Sequence, residues 1–162
     1  MIPIYDSNID KYKEYSFDAI NSGWISNYGE YIQKSENKLK EILNVNHAIL
    51  MSNGTCATHC IYLALKYKYP NITTIYLPNY VYVAVYNCCL MVYDKSNIKI
   101  LETDENTLNF NTDTDYLNTL EKNSAIVIVH NTGNVINILE LKKIRPDIIF
   151  IEDNCEGFTG KY

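Results

Sequence analysis

From residue 47 onward, short apolar runs alternate with amphipathic stretches. His47–Met51, Thr73–Leu77, Ile98–Glu102, Ala125–Val129 and Ile148–Glu152 are the runs, most of them rich in β-branched residues. Strands covered on both faces of a sheet have this pattern. Between them, Thr55–Lys68, Tyr82–Met91, Asp115–Glu121 and Ile138–Ile144 have the length and spacing of helices. Turn-forming residues fill the gaps: Ser52-Asn53-Gly54, Pro70-Asn71, Pro78-Asn79, Asn131-Thr132-Gly133-Asn134 and Arg145-Pro146-Asp147. Strand–helix alternation of this kind predicts βαβ units, and so an α/β fold with a mainly parallel sheet and flanking helices on both faces.

Ahead of the sheet, the spacing predicts helices over Ser16–Asn21 and Ser35–Leu43. In the second, Leu39, Ile42 and Leu43 stand at core positions and Ser35 serves as N-cap. An irregular loop, Gly23-Trp24-Ile25-Ser26-Asn27-Tyr28-Gly29, joins them and carries the only tryptophan. Residues 1–46 therefore read as N-terminal helices and a loop packing on a main domain of residues 47–162. No linker, repeat or low-complexity tract marks a second domain.

Composition narrows the function classes. At 162 residues the chain is one ordinary domain, long enough to hide about 70% of its unfolded surface. Hydrophobic residues make up 47% and charged residues 20%, a globular balance. A net charge of −5 and a single arginine, Arg145, argue against nucleic acid and against an anionic membrane surface as partners. No N-terminal segment reads as a signal peptide, and no apolar run approaches the roughly 20 residues of a membrane span, so the expectation is a chain without a leader or a span. The five cysteines form no C-x-x-C pair, so the expectation is buried free thiols in a reducing cytoplasm and no metal. His47 and His59 read as packing residues.

Four constellations fall at strand C-termini, the edge where open parallel sheets bind ligands. In Met51-Ser52-Asn53-Gly54-Thr55-Cys56-Ala57-Thr58, a strand gives way to a glycine-led helix start. Free N–H groups and the helix dipole suit a phosphate there, and a capped helix without ligand is the alternative. Leu77-Pro78-Asn79-Tyr80-Val81-Tyr82 offers an aromatic either to a planar ring or to packing. In Val129-His130-Asn131-Thr132-Gly133-Asn134, His130 is an acid/base or ring contact on one reading; the favoured reading is a hydrogen-bonded histidine shaping the turn. Glu152-Asp153-Asn154-Cys155-Glu156 places Asp153 where it can hold a protonated ring nitrogen, or where it can cap a turn.

In this order, Ser-Asn-Gly-Thr-Cys-Ala, Pro-Asn-Tyr-Val-Tyr-Val-Ala, Val-His-Asn-Thr-Gly-Asn and Glu-Asp-Asn-Cys-Glu-Gly resemble the DegT/DnrJ/EryC1/StrS family. So do the early Ser22-Gly23-Trp24-Ile25-Ser26 and the stretch from Glu102 to Asn109. These are sugar aminotransferases dependent on pyridoxal 5′-phosphate, with the fold-type-I architecture of aspartate aminotransferase. The resemblance implies that Gly54, Thr55 and Cys56 hold the cofactor phosphate and that Tyr82 stacks on its ring. It also implies that Asp153 pairs with the ring nitrogen and that Glu156 lies near the phenolic oxygen. Glu156 departs from the Gln or His usual in the family, and Glu-Asp-Asn-Cys-Glu is also similar to the family's sugar 3-dehydratase branch.

No residue fits the family's Schiff-base lysine. Lys161 continues the Asp153 loop, while Lys142 and Lys143 lie on the preceding helix. Family members are considerably longer. The expectation is thus the N-terminal part of the fold-type-I large domain with the C-terminal domain absent, a truncated relative inactive alone. The implied parent reaction passes an amino group from glutamate to a nucleotide-linked keto-deoxysugar in sugar or glycan biosynthesis, in a homodimer or with a complementing chain. A non-catalytic remnant or binding module, and a truncated 3-dehydratase relative, stand as alternatives.

Overall fold

The computed structural model describes residues 9–161, in two units, Met1–Met51 and Ser52–Tyr162. The first contains α1 (Lys13–Asn21) and α2 (Glu30–Leu43). The second helix starts earlier than the spacing predicts, because Gly29 rather than Ser35 is its N-cap. A Cβ at Gly29 would lie 2.9 Å from the Trp24 carbonyl oxygen, so the tight loop requires glycine there. Glu30 then complements the positive helix end and pairs with Lys34 at 2.7 Å. Asn44, left-handed at φ 52°, ends the helix. Tyr31 Oη donates to Asp18 Oδ2 at 2.7 Å, tying α2 to α1.

Two expectations fail in this unit. Ile42 and Leu43 are exposed, since a helix pair alone is too thin to enclose an apolar face. Residues 47–51 form no strand, and Ile49 is 74% exposed. A strand exists through ladder bonds to a neighbour, and among the described residues this segment has none. His47 is likewise exposed, not packed.

The second unit realises the predicted alternation. In order come α3 (Gly54–Lys68), β1 (Ile75–Pro78), α4 (Val83–Leu90), β2 (Ile98–Leu101), α5 (Thr114–Thr119), β3 (Ala125–Val129), α6 (Ile138–Ile144) and β4 (Ile149–Asp153). The strands form one sheet in the order β2-β1-β3-β4, and every pairing is parallel. Successive side chains point to opposite faces. Ile75, Leu77, Ala125 and Val127 pack with Tyr62 and Leu65 of α3 and Val85, Cys88 and Cys89 of α4. Tyr76, Ile126 and Ile128 pack with Leu117 of α5 and Ile138 and Leu141 of α6. Both faces are therefore covered, which is why these strands read as apolar runs.

The strand order reverses between β1 and β3. From β1 the chain moves outward to β2, then returns past β1 to β3 and continues to β4. The loops leaving β1 and β3 diverge at that point and leave a crevice beyond the strand C-termini. Elsewhere the solitary arginine has a structural role. Buried Arg145 donates to both carboxylate oxygens of Asp147, at 2.9 and 2.8 Å, and to the carbonyls of Leu117, Leu120 and Glu121. It thereby fastens the end of α5 to the end of α6.

Of the five cysteines, Cys88 and Cys89 are buried as expected; Cys56, Cys60 and Cys155 are exposed, contrary to the expectation, and all five are free thiols.

Candidate functional site

Asn53 caps α3 by accepting the Cys56 N–H on Oδ1 at 2.9 Å. This arrangement separates the three residues expected to hold phosphate. The N–H groups of Gly54 and Thr55 belong to the first turn and have no intrahelical acceptor. A Cβ on Gly54 would meet nothing closer than Cys155 Sγ at 3.8 Å, so the backbone is open to a ligand. The Cys56 N–H is already engaged, its thiol lies 3.3 Å from Ser52 Oγ, and the residue is off the cavity wall. Cys56 is the one candidate that the structure sets apart.

The cavity, about 320 Å³, lies at the reversal of strand order. Gly54, Thr55, Tyr82, Asp153 and Glu156 all line it, although they come from three different turns. Tyr82 stands at the start of α4 and is 76% exposed, leaving its ring free to cover a ligand. Asp153 is the last residue of β4, and its Oδ1 accepts the Cys155 N–H at 3.1 Å. Hydrogen bonding to that carboxylate, followed by partial burial, pushes the Cys155 thiol up to about 11. A thiol so held is a poor nucleophile.

His130 shapes the turn after β3, as the favoured reading has it. It is fully buried, Nδ1 accepts the Ile136 N–H at 3.1 Å, and Nε2 faces Glu152 Oε1 at 2.8 Å. Since Nδ1 accepts, the proton sits on Nε2 and is donated to Glu152. Strand alternation sends Glu152 to one side and leaves Asp153 for the cavity. The turn then places Thr132 at φ 55° and Gly133 at φ 79°, turning the Thr132 N–H toward Glu156 Oε2 at 2.5 Å. Gly157 closes the loop against this turn: a Cβ there would lie 2.7 Å from His130 Cβ.

Several wall residues escaped the sequence reading as ligand contacts, chiefly Thr58, Asn131 and Cys155. Thr58 is one helical turn past Gly54, a spacing that could have revealed it. Asn131 is 5% exposed, and its Nδ2 donates to the Tyr80 and Leu108 carbonyls at 2.8 and 3.0 Å, joining three loops. Its only sequence signal is a polar residue just beyond a buried strand tip. Among the described residues the wall carries two carboxylates and no lysine, arginine or histidine.

With this geometry in view, comparisons assign the chain. It belongs to the DegT/DnrJ/EryC1/StrS aminotransferase family, whose sequence profile matches residues 7–162. It is 34% identical to the GDP-perosamine synthase of Escherichia coli O157:H7, over 99% of this chain and 44% of that protein. It is 27% identical to the GDP-4-keto-6-deoxy-D-mannose 3-dehydratase of Escherichia coli O55:H7, over 99% of this chain and 42% of that one. A solved structure of the E. coli GDP-4-keto-6-deoxy-D-mannose-3-dehydratase with bound hydrated PLP superposes with a TM-score of 0.79 at 24% identity, covering 100% of this chain and 43% of its own. The fold is thus that of these enzymes, and the chain spans less than half the length of each relative named. Among the described residues no helix is long and apolar enough to cross a membrane.

Proposed function

We propose that this chain forms the cofactor cradle of a pyridoxal-phosphate enzyme acting on nucleotide-linked keto sugars, with GDP-perosamine synthase-type amino transfer from glutamate as the parent reaction. The observation that carries this reading is the convergence of Gly54, Thr55, Tyr82, Asp153 and Glu156 on one cavity at the strand-order reversal. The residues present fit the group chemically. Gly54 and Thr55 offer uncommitted N–H donors at a helix N-terminus for its phosphate. Tyr82 offers a ring face, and Asp153 offers a carboxylate for the ring nitrogen. When bound, pyridoxal phosphate supplies an electron sink for bonds broken beside an amino-bearing carbon.

The chain's own residues bind and orient. Asp153 keeps a proton on the ring nitrogen by pairing with the charged form. Glu156, anchored by the Thr132 N–H, adds a second negative group. No lysine lines the cavity among the described residues: Lys161 is exposed, and Lys142 and Lys143 are exposed on α6. The amine that amino transfer needs at the cofactor therefore comes from outside the described residues around this cavity, whose own part is to bind and orient. The free thiols suit a reducing cytoplasm. A 3-dehydratase relative is the second reading, supported by the 27% identity and by the Glu152-to-Glu156 segment.

The test is spectroscopic titration of the chain with pyridoxal phosphate. Saturable one-to-one binding is expected, lost in Asp153→Ala and leaving no borohydride-fixed adduct on Lys161. Binding unaffected by Asp153→Ala, or a specific Lys161 adduct, overturns the assignment. Added GDP-linked keto sugar and glutamate should yield no amino sugar with this chain alone.

A further inference from the structure

Three thiols stand in the open, and two of them share a helix. Cys56 and Cys60 are both exposed and free, one turn apart in α3. Residues at this spacing lie on one helix face, with Cβ atoms about 5–6 Å apart. Helix side chains lean toward the N-terminus, which tilts the Cys60 side chain over the turn that carries Cys56. The Ser52 hydroxyl donates to Cys56 Sγ at 3.3 Å, holding that sulfur at the helix start. A disulfide needs Cβ atoms about 3.5–4.5 Å apart, so a regular helix keeps this pair from closing on itself. A single thiophilic atom between the sulfurs supplies the missing reach, with a bond of about 2.3 Å to each.

We infer that Cys56 and Cys60 form a dithiol site for an organic trivalent arsenical. Such a centre carries its organic substituent on one bond and leaves two positions open, which two thiols fill. Two As–S bonds form, and the arsenic-bound oxygen leaves as water with both thiol protons; no electrons change hands. A structural zinc ion instead takes about four ligands. Among the described residues no third His, Cys, Asp or Glu joins this pair in a group able to hold a metal ion. The remaining thiols are unsuited to chelation. Cys88 and Cys89 are buried neighbours pointing about 100° apart around α4, and Cys88 Sγ donates to the Thr55 carbonyl at 3.5 Å. Cys155 is a single thiol hydrogen-bonded to Asp153. Neither Cys56 nor Cys60 lines the cavity at the strand-order reversal, so this site stands independently of the cofactor reading.

Phenylarsine oxide is the probe. The 162-residue chain, reduced by a phosphine, receives one equivalent, is challenged with excess monothiol and is weighed by native mass spectrometry. One adduct per chain is expected to survive the challenge and to be removed by a 1,2-dithiol. Cys56→Ser and Cys60→Ser should each weaken it by at least about a hundredfold, because the second bond otherwise forms within one molecule. Cys155→Ser should leave it unchanged. Cys60→Ser combined with Ile61→Cys, at an exposed position, keeps five thiols but turns one about 100° around the helix, and should lose the adduct. Circular dichroism confirms that each variant stays folded. An adduct undiminished in either serine variant or in the moved-thiol variant overturns the inference. So does an adduct that fails to survive on the folded chain, or one that forms only in urea.

Discussion

His130 and Glu152 meet through a hydrogen bond of fixed polarity: Nε2 donates to Oε1 at 2.8 Å because Nδ1 is engaged by the Ile136 N–H. One buried ring thus joins the tip of β4 to the turn that carries Asn131 and Thr132. Replacing it by alanine removes both bonds and leaves a cavity. His130→Ala is expected to cost about 2–4 kcal/mol in urea unfolding. His130→Asn, whose oxygen can still accept the Ile136 N–H, should recover part of that; equal losses in both would show that ring volume alone matters.

Arg145 and Asp147 give stability a defined acid dependence. The guanidinium beside Asp147 holds its carboxyl below the ordinary value, chiefly by hydrogen bonding. The contribution is present above the unfolded carboxylate pKa of about 3.9 and is lost as pH falls through the lower folded value. Urea midpoints between pH 5 and pH 2 should show this loss, and Asp147→Asn should flatten it. Arg145→Met is expected to cost about 3–5 kcal/mol at pH 7, since it strands three carbonyls and a carboxylate.

Gly157 is required by contact, not by backbone angle. An added Cβ would lie 2.7 Å from both His130 Cβ and Asn154 Oδ1. Gly157→Ala should destabilise by about 1–3 kcal/mol and weaken binding of pyridoxal phosphate, because the loop from Asp153 to Glu156 must shift. Unchanged denaturation and affinity would contradict this.

Cys155 should alkylate slowly. With Asp153 pushing its thiol up to about 11, little thiolate exists at pH 8. Peptide mass spectrometry after iodoacetamide should find Cys155 labelled more slowly than exposed Cys56 and Cys60. Asp153→Asn should speed Cys155 labelling while leaving Cys60 unchanged. The reverse order would show that the carboxylate does not govern this thiol.

The outer edge of β4 has no strand partner among the described residues, and Ile149, Phe150 and Ile151 are only half-buried. An open edge of this kind invites pairing with another chain. Size-exclusion chromatography should show self-association rising with concentration, suppressed by Ile151→Lys. A monomer at all concentrations would count against it.

How much was legible differs by element. β3 and α6 match the expected limits because both combine a dense apolar pattern with sharp turn residues at either end. β4 runs to Asp153, one residue further than its apolar run, since ladder bonds to β3 and not hydrophobicity decide where a strand stops. The 47–51 run has strand composition but no partner, and Ser35 has cap chemistry but sits inside a helix begun by Gly29. Local pattern registers preference; pairing and loop closure decide use.

By itself the sequence determined the α/β class and the parallel alternation, and it singled out the turns that meet at the cavity, because burial period and turn chemistry are local properties written residue by residue. Tertiary structure alone decided that five of the six candidates share a cavity while Cys56 turns to its cap. It also decided that Asn131 stands on the wall with its Nδ2 held by the Tyr80 and Leu108 carbonyls, and that His130 carries its proton on Nε2. Those facts depend on which main-chain groups from distant loops arrive opposite each side chain, and only the strand order brings those loops together.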